Sequence, residues 1–218
     1  MSRSHLTHFQ SADPIIHRLL QQHTLEPLKA ETNAGLYFAK LCREIIGQQL
    51  SIKAADTIIK RFEALFPEAK LTTDPGEYRQ IKTIGTLITP QAILAKEDQA
   101  LREVGLSWSK VKYVKDLAQK TLDQELHLHL LPGLADEEVV TELTQVKGIG
   151  RWTAEMFLIF TLGREDVFSF GDLGLRRAME RHYGLTDWKQ DEVMKIVEQW
   201  QPFRSYASLV LWKSLDNA

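Results

Sequence analysis

Apolar residues recur along this chain at spacings of three and four, and no stretch sustains the alternation of a half-buried strand. From Asp13, the positions Ile15, Ile16, Leu19 and Leu20 form one stripe of a helix running to about Gln22. Asp13 is placed to cap it and Pro14 sits at its first position. A second helix is expected over Leu36–Ile46. Gly47-Gln48-Gln49-Leu50 breaks it, and Ser51 opens a third helix that runs to about Leu65. Asp74-Pro75 and Thr89-Pro90 each start a short helix, the first including Tyr78 and Ile81 and closing at Gly85. Further helices are expected over Lys96–Val104, from Ser107 to about Thr121, over Asp136–Leu143 and over Arg151–Leu162, with a turn at Pro132-Gly133. Leu173–Tyr183, Gln190–Trp200 and Phe203–Leu215 complete the chain. The pattern predicts an all-α protein of about ten to twelve helices with no sheet.

The most informative stretch runs from Leu143 to Arg177, LTQVKGIGRWTAEMFLIFTLGREDVFSFGDLGLRR. Gly148 and Gly150 carry no Cβ, so another molecule can approach the backbone closely there. The helix that follows begins near Arg151 with unpaired N–H groups, and such an end is an anion site. Lys147 and Arg151 flank the turn, which suits a backbone phosphate. Taken alone, the turn fits a packing corner between two helices equally well. Asp172 opens the next helix. Its local sequence suits an N-cap, and a capping carboxylate can also remain an ionised reactive group.

Three groups of residues in this region resemble the helix-hairpin-helix DNA glycosylase superfamily. They are Val146-Lys147-Gly148-Ile149-Gly150-Arg151-Trp152-Thr153-Ala154, Asp166-Val167-Phe168, and Gly171-Asp172-Leu173-Gly174-Leu175-Arg176. Upstream, Ile45-Ile46-Gly47-Gln48-Gln49-Leu50-Ser51 is similar to the alkylated-base branch, the DNA-3-methyladenine glycosylase II type. So is Trp200-Gln201-Pro202-Phe203-Arg204-Ser205-Tyr206-Ala207 near the end. The resemblance implies a single domain over 1–218 with a two-lobed helix-hairpin-helix glycosylase fold and an active site in the cleft between lobes. One lobe would span about 48–162 and contain the hairpin. The other would combine about 1–47 with 163–218.

The resemblance also assigns roles. Asp172 falls at the superfamily's catalytic aspartate. Trp152 occupies the position where the lyase branch has its Schiff-base lysine, which implies a monofunctional enzyme. An indole face also attracts a cationic base by about 0.5–2 kcal/mol. Trp212 falls at the second pocket tryptophan, although its apolar neighbours suit core packing as well. Met156 departs from the tyrosine that the branch often has there, which leaves the base preference open. Tyr37 or Phe38 could supply a further aromatic wall. Ser169 stands where many relatives have proline. Gln48 and Gln49 sit where the family fills the gap left by a flipped base, and an interhelical hydrogen-bonding role suits them too. Lys147, Gly148, Ile149, Gly150 and Arg151 would contact DNA. The carbonyls of Thr144, Val146 and Ile149 could hold a monovalent cation, Na⁺ or K⁺. Lys112 and Lys115, on one helix face, offer a second phosphate surface or a merely solvated one.

Composition changes this picture in a few places. The chain has 218 residues, 44% hydrophobic and 26% charged, which suits one sizeable core or two lobes. Cys42 is the one cysteine, so neither an internal disulfide nor a four-cysteine iron–sulfur cluster can form. The seven histidines lack metal-ligand spacing; His127 and His129, two apart, would point to different faces of a helix. No other cofactor is expected. The net charge of −2 disfavours a nucleic-acid partner only mildly, because phosphate binding needs a local basic face. No apolar run reaches the roughly 20 residues of a membrane span, and the N-terminus lacks the apolar core of a secretory signal. The expectation is an intracellular monomer on double-stranded DNA with alkylated bases, in the cytoplasm and nucleoid of a bacterium or the nucleus of a eukaryote. It would flip out and hydrolytically excise alkylated purines such as 3-methyladenine and 7-methylguanine during base excision repair. The competing readings are the same fold acting on deaminated or etheno-purines, and a non-catalytic helix-hairpin-helix module that binds DNA or senses damage.

Overall fold

A computed structural model of the chain describes residues 3–67, 71–73, 81–83, 88–185 and 187–215. The described residues form twelve α-helices and one short two-stranded ribbon, in two compact units. One unit joins residues 1–30 to 163–218, and the other is the intervening segment, 31–162. Each has its own core. No helix among the described residues is long and apolar enough to cross a membrane.

The discontinuous unit contains α1 (Arg3–Ala12), α2 (Pro14–Gln22), α10 (Leu173–Tyr183), α11 (Gln190–Val197) and α12 (Arg204–Leu215). α2 starts as its sequence dictates, with Asp13 Oδ1 accepting from the N–H groups of Ile15 and Ile16 at 2.9 and 3.1 Å. The other oxygen of that buried carboxylate accepts from Tyr183 Oη at 2.6 Å and Trp200 Nε1 at 2.7 Å. One aspartate therefore starts a helix and ties both sequence halves of the unit together. Ile16, Leu19 and Leu20 of α2 pack with Leu175, Met179, Val193, Val210 and Leu211. α12 lies against both α2 and α10.

The continuous unit holds α3 (Tyr37–Gly47), α4 (Ile52–Ala64), α5 (Pro90–Leu94), α6 (Asp98–Glu103), α7 (Trp108–Leu122), α8 (Asp136–Thr144) and α9 (Arg151–Phe160). α3 is buried on nearly every side and packs on α4 and α7, and its buried Lys40 and Arg43 are paired with Glu31 and Glu63, as buried charges must be. This corrects the lobe boundary. Residues 31–47 were expected with the chain ends, but they belong to the 31–162 unit. The segment is also tied to the end of α9, where Glu31 N–H donates to the Thr161 carbonyl at 2.8 Å.

A second correction concerns the absence of a sheet. β1 (Leu71–Thr73) pairs antiparallel with β2 (Ile81–Thr83), Leu71 opposite Thr83. Three residues are too few to show a period of two, so the pattern carried no signal. Most of the helix expected from Asp74-Pro75 to Gly85, including Tyr78, lies outside the described residues, and at Ile81–Thr83 the chain is strand.

Candidate active site

Asp172 sits at the start of α10 as its N-cap, 8% exposed, with extended backbone at φ −80° and ψ 118°. Its Oδ1 accepts the Leu175 N–H at 2.7 Å. The same oxygen accepts the Trp212 indole N–H at 2.8 Å. The cap and the candidate catalytic group are thus one carboxylate, and Trp212 turns its polar edge to it.

The loop leading to Asp172 is anchored to the start of α12. Arg204 Nε and Nη2 reach the two carboxylate oxygens of Asp166 at 2.7 and 3.0 Å, and Nη2 also donates to the Asp166 carbonyl at 3.0 Å. Ser205 Oγ donates to the Arg164 carbonyl at 2.7 Å and accepts from Val167 N–H at 3.0 Å. These are the Asp166-Val167-Phe168 and Phe203-Arg204-Ser205-Tyr206 motifs of the sequence, and their work is to hold the loop. Trp212 lies eight residues beyond Arg204 on α12, about 12 Å along a helix axis. A single rigid helix therefore fixes both the loop and the carboxylate it carries.

In the other unit, α8 and α9 are joined by the turn Gln145–Gly150. Gly148 has φ +84°, and a Cβ there would lie 2.1 Å from the Tyr113 ring of α7. Asp116, one turn further along α7, accepts the Lys147 N–H at 2.9 Å and pairs with the Lys147 ammonium at 3.2 Å. Gln48 Nε2 donates to the Gly148 carbonyl at 2.8 Å and to Thr153 Oγ1 at 3.1 Å. The turn is held from α7 on one side and from the end of α3 on the other. Gly150 differs from Gly148: nothing lies within 4 Å of where its Cβ would be, so that face is open to an incoming molecule.

Gln48 thus takes the interhelical role. Gln49 is exposed and adopts φ +58°, a conformation that non-glycine residues seldom hold without reason. It is followed by Leu50 and Ile52, 37% and 73% exposed. Lys110 of α7 sets this corner, donating to the carbonyls of Ile46 and Gln48 at 2.8 Å each. Burial pulls its ammonium below the usual lysine range.

The sequence model of the HhH-GPD superfamily of base excision DNA repair proteins matches residues 42–202. The chain belongs to this superfamily. It is 33% identical over 184 residues to DNA-3-methyladenine glycosylase 1 of Schizosaccharomyces pombe, covering 81% of this chain and 72% of that protein. The crystal structure of a DNA-3-methyladenine glycosidase from Bacillus halodurans superposes with a TM-score of 0.76 at 32% identity, over 98% of this chain and 89% of that one. The 3-methyladenine DNA glycosylase of S. pombe, solved in complex with abasic DNA, superposes with a TM-score of 0.77 at 29% identity, over 98% and 97% of the two chains.

Other residues singled out in this HhH-GPD chain are placed as follows. Trp152 is partly buried in the first turn of α9, and Met156, one turn on, is fully buried. Tyr37 is buried edge-to-face on Phe157 and donates its hydroxyl to the Glu31 carbonyl at 2.7 Å. Phe38 lines a cavity of about 500 Å³ with Pro90, Gln124, Leu126 and His129. Arg151 is engaged by Glu137 at 2.5 and 3.0 Å and lies 3.4 Å from Glu155. Its pair with Glu137 is more than half exposed on both sides, so exchange for a phosphate has little energetic cost. On the lysine face, Lys115 pairs with Asp98, whereas Lys112 is exposed.

Sequence reasoning missed the braces. Tyr113, Asp116 and Lys110 lie on α7, between 31 and 64 residues from the groups they hold. Only the phasing of α7 hinted at them, since residues 110, 113 and 116 recur at helical spacing along one side.

Proposed function

We propose that this protein is a monofunctional DNA glycosylase that flips alkylated purines out of duplex DNA and hydrolyses their N-glycosidic bond in base excision repair. Asp172 carries this reading: a buried carboxylate with its rotamer fixed by two donors, in a chain of this superfamily. As the bond to an alkylated purine breaks, positive charge grows on the deoxyribose, and a fixed carboxylate stabilises it. The same group orients water, or takes its proton, for addition at C1′. A base such as 3-methyladenine or 7-methylguanine already carries positive charge, so it departs without a general acid. One carboxylate then suffices, where ordinary glycoside hydrolases need two.

The remaining parts follow. The open backbone at Gly150 and the N-terminus of α9 receive a DNA phosphate, with Lys147 beside them. Gln49, with Leu50, fills the space left by the flipped nucleotide. Trp152 and Trp212 present aromatic surface to the cationic base, and tryptophan at position 152 in place of a lysine leaves no Schiff-base nucleophile there. Met156 and Tyr37 are fully buried and serve the core of the 31–162 unit, and Phe38 lines the cavity beside Pro90 and Gln124. The last carbonyls of α8 have no partner within the helix, and the negative end of the helix dipole lies there. The Thr144 carbonyl at that end, with the carbonyls of Val146 and Ile149 in the turn beyond it, would hold a monovalent cation such as Na⁺ or K⁺. The protein acts as a monomer associated with cellular DNA.

The deciding experiment incubates purified protein with methylated duplex DNA and measures free bases by chromatography. Release of 3-methyladenine or 7-methylguanine is expected. Excision confined to hypoxanthine or ethenoadenine DNA would change the substrate. Binding without release from any of these duplexes would make the protein a non-catalytic clamp.

A further inference from the structure

Glycine is among the poorest helix formers, yet Gly174 occupies the second position of α10, two residues after Asp172. Its place is explained by what surrounds it. A Cβ on Gly174 would lie 3.0 Å from Asp172 Oδ1, 3.0 Å from Trp212 Cδ1 and 3.1 Å from Trp212 Nε1. All three distances are tighter than ordinary van der Waals contact, and the three atoms are the two ends and the flank of one hydrogen bond. The bare backbone at residue 174 is the floor on which the indole lies to reach the carboxylate. Any larger residue would have to push the two partners apart.

We propose that Gly174 and Trp212 are positioning residues for Asp172. Gly174 admits the indole onto the first turn of α10, and the indole N–H then aims the carboxylate. This deepens the glycosylase reading and rests on it for its kinetic arm. Two donors that converge on one oxygen, one from the helix end and one from α12, leave the side chain one rotamer, so the carboxylate is aligned before any sugar arrives. The cap bond alone would not achieve this, because a capping aspartate can rotate about it. The role is distinct from presenting an aromatic face to a base, since it uses the edge of Trp212.

The test has a spectroscopic arm and a kinetic arm. In ¹H–¹⁵N spectra of the free protein, the Trp212 indole resonance is expected to move upfield in Asp172→Asn, because a neutral acceptor replaces a charged one. It should move the same way in Gly174→Ala. With methylated duplex under single-turnover conditions, Trp212→Phe and Gly174→Ala are each expected to lower base release about 10–100-fold, the value of one hydrogen bond to a charged group. Affinity for an abasic-analogue duplex should be kept, and the double variant should be no slower than the worse single one. An indole resonance indifferent to Asp172→Asn overturns the proposal without reference to activity or to the folding of the glycine variant. So does a parent rate in Trp212→Phe alongside collapse in Asp172→Asn, an outcome that leaves the glycosylase reading standing. Parent-like excision by Asp172→Asn would instead end the catalytic role of Asp172 and leave the protein a glycosylase, and the resonance would still report on the geometry.

Discussion

Asparagine at position 172 would keep an oxygen for the Leu175 N–H and the Trp212 indole while removing the charge. Asp172→Asn should therefore fold and bind alkylated DNA much as the parent does. Its single-turnover excision should fall about 10²–10³-fold, as when one preorganised electrostatic group is lost. Asp172→Ala should show the same loss and also melt earlier, by about 0.5–2 kcal/mol of lost capping. The two hairpin glycines separate folding from binding in a similar way. Gly148→Ala meets both a left-handed φ and the Tyr113 ring. It should lower thermal stability measurably, with about 1–2 kcal/mol from the backbone alone. Gly150→Ala has room for its methyl group and an ordinary φ of −94°. It should melt like the parent and bind abasic-analogue duplex more weakly; parent-like affinity would remove the turn from the DNA surface.

Helix starts with a side-chain cap were readable from sequence, as at Asp13, Ser51, Thr89, Ser107 and Asp172. Each cap is a local event decided by a few consecutive residues. α1 went unseen because its stretch lacks both an acidic first turn and a full apolar stripe. The site divided along the same line. Asp172 and the hairpin glycines stood out in one short stretch, whereas Trp212 lies 40 residues from its partner and Gln48 100 from Gly148. No local pattern records which side chain will meet which carbonyl across such distances. Gln48 links α3 to the turn before α9. Gln48→Ala should thus cost about 0.5–1.5 kcal/mol in denaturant titrations, the net value of a part-buried hydrogen bond. It should also weaken binding to undamaged duplex, since the turn loses one of its two supports.

At the scale of the molecule, a net charge of −2 does not prevent salt-sensitive DNA binding, because the contacts are local. Log affinity should fall linearly with log salt, with a slope near −0.9 for each phosphate neutralised. Borohydride should trap no protein–DNA adduct, given tryptophan at position 152; a trapped adduct would revive a lyase. The interruption of one unit by the other has a further consequence, in the order of events. Residues 31–162 complete a core of their own, whereas the core around Trp200 draws on Phe9 and Ile16 as well as Leu175 and Val210. During synthesis, α2 must wait for α10 and α12, the first of which begins about 150 residues later, and apolar surface left exposed meanwhile is what chaperones hold. Pulsed hydrogen exchange during refolding should protect α3, α7 and α9 before α2 and α10. The carboxylate at position 172, set in the core that closes last, would then gain its alignment only in the final step of folding.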